Sequence, residues 1–253
     1  MLKLCSSPGA PESAKRGFAN GAAERHSQRI RLCEWRVLSV TQLAREEHKL
    51  FLLTYLEERF LIIRPLSPEH KSDYLDFFDN RAFTDGNPNG PCYCTSPNQD
   101  EATIKQMVSE FQTNGVKETL RKYAVRMLDE NKIQGYLAFD GNISVGWCNA
   151  ADMESYAGFV PEFARVNTCG KTISIVCFEI APGYRGRGIA SAFIDRVCDD
   201  ARRKGYAAVE GYPRIYEGRD DYDFQGPVRL FQKAGFQEAA RQNGQIIMRK
   251  VFI

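Results

Sequence analysis

The stretch that decides the fold reads Ile173-Ser-Ile-Val-Cys-Phe-Glu-Ile-Ala-Pro-Gly-Tyr-Arg-Gly-Arg-Gly-Ile-Ala-Ser-Ala192. Its first residues are apolar and rich in β-branched side chains, which predicts a strand over 173–180. Pro182 and Gly183 end that strand, because proline removes a ladder donor and glycine tolerates positive φ. Beyond Gly188 the apolar residues recur at helical spacing, so the stretch is predicted to be a strand, a turn and an amphipathic helix.

The turn between strand and helix is suited to binding a polyanion. A glycine-rich turn that opens a helix directs several unpaired backbone N–H groups to one spot, where the helix dipole adds partial positive charge. Arg185 and Arg187 bring two full charges to the same place. Neither the Walker ending Gly-Lys-Ser/Thr nor the Rossmann spacing Gly-x-Gly-x-x-Gly is present in the turn. The pattern therefore favours a pyrophosphate site that is neither a Walker loop nor a Rossmann turn.

The turn fits the pattern Arg/Gln-x-x-Gly-x-Gly/Ala, as Arg185-Gly-Arg-Gly-Ile-Ala190. In this it resembles the GNAT family of acetyl-CoA-dependent N-acetyltransferases. A second segment, Gly226-Pro-Val-Arg-Leu-Phe-Gln-Lys-Ala-Gly-Phe236, is similar to the family's Tyr-x-x-x-Gly-Phe helix, with Phe231 in place of the tyrosine. The resemblance spans about residues 58–253. It implies the α/β (α+β) GNAT fold, a central mixed twisted sheet of roughly six or seven strands flanked by helices.

Turn and periodicity signals elsewhere complete the expected fold. Strands are predicted at 59–66 and 207–213, hairpins at 135–148 and 237–253, and helices from Ser67, over 99–131 with a break near Gly115, and over 226–236. Two turn-rich or irregular segments, 84–99 and 150–170, are expected to contribute to an acceptor pocket. The predicted folded domain is a single unit, residues 57–253.

Residues 1–56 differ in composition from the rest of the chain. They hold nine Lys/Arg and five Asp/Glu, which leaves 25 basic and 27 acidic residues beyond them. The opening twenty residues are rich in Ser, Pro, Gly and Ala, a composition typical of disorder. We expect a disordered or dispensable extension. An over-extended gene start, a targeting or tethering peptide and a functional extra element are the alternatives.

The composition as a whole indicates a globular protein. Of 253 residues, 43% are hydrophobic and 26% charged, with a net charge of +2. The slightly acidic folded part argues against nucleic-acid binding, and no window approaches the ~20 apolar residues of a membrane span. Eight cysteines without a secretory signal favour free thiols and a cytoplasmic location. A homodimer is left open.

Transfer of an acetyl group to an amine needs a base, and Glu179 is the candidate. It lies inside an apolar strand, where a carboxylate is costly unless it has a purpose or a partner. The resemblance supports this role, since a glutamate on this strand acts as base in some GNAT enzymes. The alternative is that Glu179 is solvated or pairs with a nearby arginine.

The residues expected to protonate the leaving thiolate depart from the family pattern. Phe231 cannot donate a proton, so we predict that Tyr222 takes that task, with Tyr212 and Tyr216 as alternatives. An unassisted thiolate and loss of catalysis are also open. The resemblance implies contacts with the acetyl-CoA co-substrate from Phe178, Ile180, Arg185, Gly186, Arg187, Gly188, Ile189, Ala190 and Phe231.

Cys92-Tyr-Cys94 and Gly146-Trp-Cys148 look similar to segments of a GNAT subgroup whose substrate is unassigned. The Cys-x-Cys spacing is shorter than in usual zinc sites and no histidine lies nearby, so we expect no metal. We predict instead that Cys92 and Cys94 pack in the wall of the pocket.

The function expected is transfer of acetyl from acetyl-CoA to the primary amine of a small molecule, by direct attack in a ternary complex. Asp152, Glu154 and Glu162 are candidates to attract a cationic acceptor such as a polyamine or an amino sugar. Two alternatives are a non-catalytic acyl-CoA-binding regulator, motivated by Phe231, and a protein or peptide N-acetyltransferase.

Overall fold

The structure is a computed structural model that describes residues 61–87, 89–156, 158–165, 170–215 and 224–252. The predicted extension and the tyrosines Tyr216 and Tyr222 lie outside these described residues. The strands are β1 (Leu61–Pro65), β2 (Gly135–Asp140), β3 (Ile143–Asp152), β4 (Thr172–Ile180), β5 (Ala208–Gly211), β6 (Gln237–Gln242) and β7 (Gln245–Val251). The helices are α1 (Lys71–Asn80), α2 (Glu101–Asn114), α3 (Val116–Asp129), α4 (Glu162–Arg165), α5 (Ile189–Arg203) and α6 (Val228–Lys233).

The strands form one mixed seven-stranded sheet in the order β1-β2-β3-β4-β5-β7-β6. Strands β4 and β5 pair in parallel, and every other neighbouring pair is antiparallel. Helix α5 connects the parallel pair, because parallel strands need a crossover. The predicted α/β fold, with a mixed sheet flanked by helices, is therefore confirmed.

Two apolar clusters cover the two faces of the sheet. On one face, α1 and α3 pack against the sheet around the fully buried Tyr74 and Trp147, whose rings meet edge to face. On the other face, α5 and α6 bury Phe193 and Phe231. Successive residues of β4 point to opposite faces, so Cys177 belongs to the first cluster and Phe178 to the second.

The chain between β1 and β2 and after β3 agrees with the predictions in outline. The predicted helix 99–131 divides at Gly115, which has a φ of +80° and ends α2. Strand β3 runs to Asp152, beyond the predicted end at residue 148, because its last residues continue to pair with β4. The segment 150–170, expected to be irregular, also contains α4.

Strand β4 separates from β5 halfway along its length. The parallel pairing ends at Ile175 and Gly211, while β4 continues to Ile180. In the β3–β4 ladder, Asn149 pairs with Cys177 and the next β3 residue pairs with Ile175, so one β4 residue bulges out at the same place. The second half of β4 therefore has a free edge facing a notch in the sheet.

None of the helices within the described ranges combines the length and the apolar character that crossing a bilayer would require.

Candidate active site

The notch beside β4 contains a cavity of about 190 Å³, which we call the strand-edge cavity. Its wall includes Phe178, Glu179, Ile180, Arg185, Ala190, Phe224 and Leu230. Four of the residues predicted to contact the co-substrate, Phe178, Ile180, Arg185 and Ala190, thus meet around one space. Residues of the strand, the turn and the first turn of helix α5 in the deciding stretch are thus brought together, as the sequence suggests.

The free edge of β4 already makes hydrogen bonds with groups of the same chain. The Phe178 backbone N–H donates to the Phe224 carbonyl at 2.6 Å. The Arg185 Nε donates to the Ile180 carbonyl at 2.9 Å. An extended ligand that pairs with this edge as an added strand would exchange these partners for its own amide groups.

The glycine turn leads directly into α5. Gly186 and Gly188 have φ values of +75° and +83°, which only glycine adopts at little cost. The Ala192 N–H makes the first α-helical bond, 3.0 Å to the Gly188 carbonyl, and the preceding N–H groups of the first turn have no partner within the helix. The Arg187 guanidinium lies over the Tyr184 ring, 5.0 Å from the ring centre.

The two remaining residues of the predicted co-substrate set lie deeper in the molecule. The Ile189 side chain is 2% exposed and belongs to the core on the α5 face, so only its backbone is near the turn. Phe231 is fully buried, with ring centres 6.2 Å from Phe178 and 5.4 Å from Phe236. A Cβ at Gly211 would lie 2.1 Å from the Phe231 ring, which shows how closely that ring is packed. In the structure the Phe231 side chain packs in the core, and its contact with the co-substrate stays a prediction.

Glu179 is a nearly buried carboxyl at the strand-edge cavity. Glu179 is 9% exposed, and burial raises the pKa of its carboxyl to about 7. The Arg185 Nη2 lies 3.3 Å from the Glu179 Oε1 and opposes the rise, while the nearby Asp85 carboxylate adds to it. Arg185 also makes an ion pair with Asp85. A carboxyl with a pKa near 7 is matched to general-base work at neutral pH.

A second cavity of about 210 Å³ lies on the other side of Glu179, and we call it the thiol cavity. It is lined by Phe83, Asn89, Cys92, Cys94, Ser96, Pro97, Phe159, Cys177, Glu179 and Phe224. Asn89, Glu179 and Phe224 therefore belong to both cavities. The prediction that Cys92 and Cys94 form part of a pocket wall is confirmed.

The thiols are fixed in place by hydrogen bonds. Cys94 has a φ of +48°, and its N–H donates to the Cys92 Sγ at 3.1 Å. Asn149 Nδ2 donates to the Cys94 Sγ at 3.3 Å, and the Tyr156 hydroxyl donates to the Asn149 Oδ1 at 2.7 Å, which sets the orientation of the amide. A hydrogen bond from the Cys177 thiol lowers the pKa of Cys94, whereas burial raises the pKa of Cys92 to about 12. Among the described residues, no group of three or more His, Cys, Asp or Glu side chains could hold a metal ion.

Of the tyrosines predicted as acids, Tyr212 is the one that the structure describes, and it lines neither cavity. Tyr212 is fully buried, and its hydroxyl bonds Ser174 Oγ at 2.6 Å and Glu210 Oε2 at 3.1 Å. Burial raises the pKa of Tyr212 well above its ordinary value. Tyr216 and Tyr222 lie outside the described residues, so the proton donor among them stays a prediction.

Sequence reasoning missed Phe224, Leu230 and the pair formed by Arg185 with Asp85. Phe224 and Leu230 flank the Gly226–Pro227 turn that opens the second signature helix, and that turn could have marked them. The pairing of Arg185 with Asp85 joins residues one hundred positions apart, and no local signal indicates it.

The profile of the Acetyltransferase (GNAT) family matches residues 95–236 of this chain. That range includes the second half of β4, the glycine turn, Phe224 and α6. No curated protein matches the sequence.

Several solved structures resemble the chain at low sequence identity. An acetyltransferase of the GNAT family from Listeria monocytogenes is 9% identical, covers 76% of this chain and 95% of its own, and gives a TM-score of 0.44. The PaiA N-acetyltransferase from Thermoplasma acidophilum, solved with coenzyme A, is 15% identical with 76% and 99% coverage and a TM-score of 0.41. The acetyltransferase yncA from Salmonella typhimurium, solved with acetyl-CoA, is 13% identical with 76% and 93% coverage and a TM-score of 0.39.

Proposed function

The chain belongs to the acetyltransferase (GNAT) family, and from that premise we propose that it transfers an acetyl group from acetyl-CoA to the primary amine of a small molecule. The observation that carries the proposal is the position of Glu179, a nearly buried carboxyl shared by two cavities. One cavity lies along a strand edge beside a glycine turn, as a donor site requires. The other is suited to an acceptor.

The donor would occupy the strand-edge cavity. The pyrophosphate would accept hydrogen bonds from the backbone of Arg185–Ala190 at the start of α5, where the helix dipole favours an anion. The pantetheine arm would follow the free edge of β4 from Phe178 to Ile180. Its amide groups would take over the hydrogen bonds that Phe224 and Arg185 now make with that edge.

The acceptor would enter the thiol cavity and meet the thioester at Glu179. The Glu179 carboxylate would accept a proton from the ammonium, and the neutral nitrogen would attack the carbonyl carbon directly in the ternary complex. The C–N bond forms, the C–S bond breaks, the electron pair stays on the CoA sulfur, and the nitrogen loses its second proton as the amide forms. A thiol has a pKa of about 8.5, so this proton can reach the departing thiolate through water without a tyrosine.

The position of Phe231 weighs against the regulatory alternative. A phenylalanine in the place of the family's tyrosine would suggest lost catalysis if that side chain lined the donor site. Here it is fully buried against Gly211 and Phe236. Its burial therefore supports a catalytic function that does not use this side chain as an acid.

The test combines binding with turnover. Acetyl-CoA at about 100 times its Kd should stabilise the protein by roughly 2.7 kcal/mol and raise Tm by several degrees. Release of the CoA thiol should then depend on an added primary amine. Stabilisation without release on any amine or peptide would support an acyl-CoA-binding regulator. Release with N-terminal peptides alone would support the peptide N-acetyltransferase, and no stabilisation would remove all three functions.

A further inference from the structure

We propose that the acceptor is an apolar monoamine, that is, one primary amine on a small aliphatic or aromatic body that fills the thiol cavity. This rests on the proposed function and narrows its acceptor class. The inference rests on the composition of the cavity wall and on the positions and partners of the nearby carboxylates.

The wall of the thiol cavity is mainly aromatic and weakly polar. The rings of Phe83, Phe159 and Phe224 and the Pro97 ring contribute apolar surface, and the Phe159 and Phe224 ring centres are 6.4 Å apart. The thiols of the cavity behave as small hydrophobic groups with weak hydrogen-bonding capacity. The volume of about 210 Å³ is below the roughly 300–1,000 Å³ of sites for drug-sized ligands. The space suits a short hydrocarbon body.

A single carboxylate faces this wall. Among the described residues that line the thiol cavity, Glu179 is the one acid, and it lies at the boundary with the strand-edge cavity. An amine near Glu179 therefore places its nitrogen toward the donor and its hydrocarbon against the rings. The same arrangement orients the nitrogen for attack.

Beyond Glu179, the described residues that line the thiol cavity offer no carboxylate to a second cation. A neighbouring cavity of about 470 Å³ adjoins at Ser96 and Phe159 and is lined by Asp100 and Glu101. Asp100 Oδ1 accepts a hydrogen bond from the Thr103 N–H at 2.7 Å and caps α2. Glu101 pairs with Lys105 at 2.6 Å. Both carboxylates are exposed, so neither pairs with an ammonium that is buried in the thiol cavity, where an unpaired charge is costly.

The acids expected from the sequence to attract a cation are also placed elsewhere. Asp152 accepts a hydrogen bond from the Tyr206 hydroxyl at 3.3 Å, and Glu154 lies 3.6 Å from Arg165. Glu162 is exposed on α4. These three residues are not among the described residues that line the thiol cavity.

Amino sugars fit the wall poorly for a related reason. Each buried hydroxyl needs a hydrogen-bond partner, and an unsatisfied one is unfavourable. Beside Glu179 and the thiols, the polar side chains of the wall are Asn89 and Ser96. The nearby Asn149 already donates to the Cys94 carbonyl and to Asn98 Oδ1, both at 3.1 Å.

The experiment measures kcat/KM for thiol release across matched amines. In the series from ethylamine to hexylamine, kcat/KM should rise about fourfold per methylene until the cavity is filled, from the free energy of burying each group. Hexylamine should exceed 1,5-diaminopentane, which has the same number of heavy atoms, by roughly 100-fold because of the second charge. Equal or better turnover of the diamine or of glucosamine would overturn the acceptor class and leave the proposed function standing.

Variants at Phe159 locate the effect in the wall. Phe159→Ala should lower kcat/KM for hexylamine about tenfold and leave that for ethylamine nearly unchanged, while Phe159→Leu should restore most of the loss. Val108→Ala removes an exposed apolar side chain from α2 and should change neither value. An equal loss on both amines in Phe159→Ala would contradict the role of the wall. Binding of acetyl-CoA without turnover of any amine would overturn the proposed function and this inference together.

Discussion

The two cavities that meet at Glu179 are built in different ways. The strand-edge cavity takes much of its surface from the continuous stretch between Phe178 and Ala190, and the proposed contacts are largely with the backbone. The thiol cavity is lined by side chains from separate parts of the chain, namely 83–97, β4, Phe159 and Phe224. In the proposed function the co-substrate is recognised mainly by backbone groups of one continuous stretch, whereas the acceptor is selected by side chains from several segments.

The largest expected effect comes from the residue that joins the cavities. Glu179→Gln should lower kcat about 10²- to 10⁴-fold, because the amide cannot accept the proton. The Kd of acetyl-CoA, measured by calorimetry, should change less than tenfold, since the glycine turn is untouched. Glu130→Gln, which alters a surface glutamate 2.7 Å from Lys132, is the matched control and should retain full kcat. A Glu179→Gln enzyme with normal kcat would contradict the role of Glu179 as the base between the two cavities.

A smaller effect is expected when the missing tyrosine is restored. Phe231→Tyr adds a hydroxyl to a fully buried ring, which should cost about 1–3 kcal/mol of unfolding free energy in urea denaturation. We expect no gain in kcat, because the ring packs in the core. Phe252→Tyr, at a half-buried ring, should cost less than Phe231→Tyr. A rise in kcat of tenfold or more would place the new hydroxyl at the donor sulfur.

The smallest effect is expected from a change in the glycine turn, which should affect the donor side alone. Gly188→Ala places a side chain at a φ of +83°, which should cost about 1–2 kcal/mol and misalign the turn, and so weaken acetyl-CoA binding roughly tenfold. Gly141→Ala has a similar strain at a φ of +59° in the β2–β3 hairpin. Both variants should lose stability, but the Gly141 variant should keep its Kd. Unchanged binding in Gly188→Ala would argue against the turn as the pyrophosphate site.

The difference between the cavities also explains what could be predicted from the sequence. The break at Gly115 and the strand-turn-helix from Ile173 to Ala192 follow from local periodicity and turn residues, whereas the mixed sheet was expected from the resemblance to the GNAT family. The presence of Glu179 in an apolar strand was itself a signal of an unusual carboxyl. Such features depend on residues that are close in the chain.

The remaining features depend on tertiary packing. The burial of Phe231 requires the close approach of Gly211, which belongs to another strand. The pairing of Arg185 with Asp85, and the hydrogen bond between Phe178 and Phe224, join segments that no local pattern connects. For this reason the acceptor class could not be derived from the sequence.

The most direct test of the account is the pH dependence of kcat/KM for hexylamine at saturating acetyl-CoA. In the proposed mechanism the Glu179 carboxylate accepts the proton, and burial raises the pKa of this group to about 7. For the wild-type enzyme, kcat/KM should therefore fall about tenfold per pH unit below 7 and level off above it. Glu179→Gln should show a low kcat/KM without this inflection. A wild-type profile that is flat from about pH 5.5 to 8, or an inflection that persists in Glu179→Gln, would contradict the proposal that Glu179 links donor and acceptor.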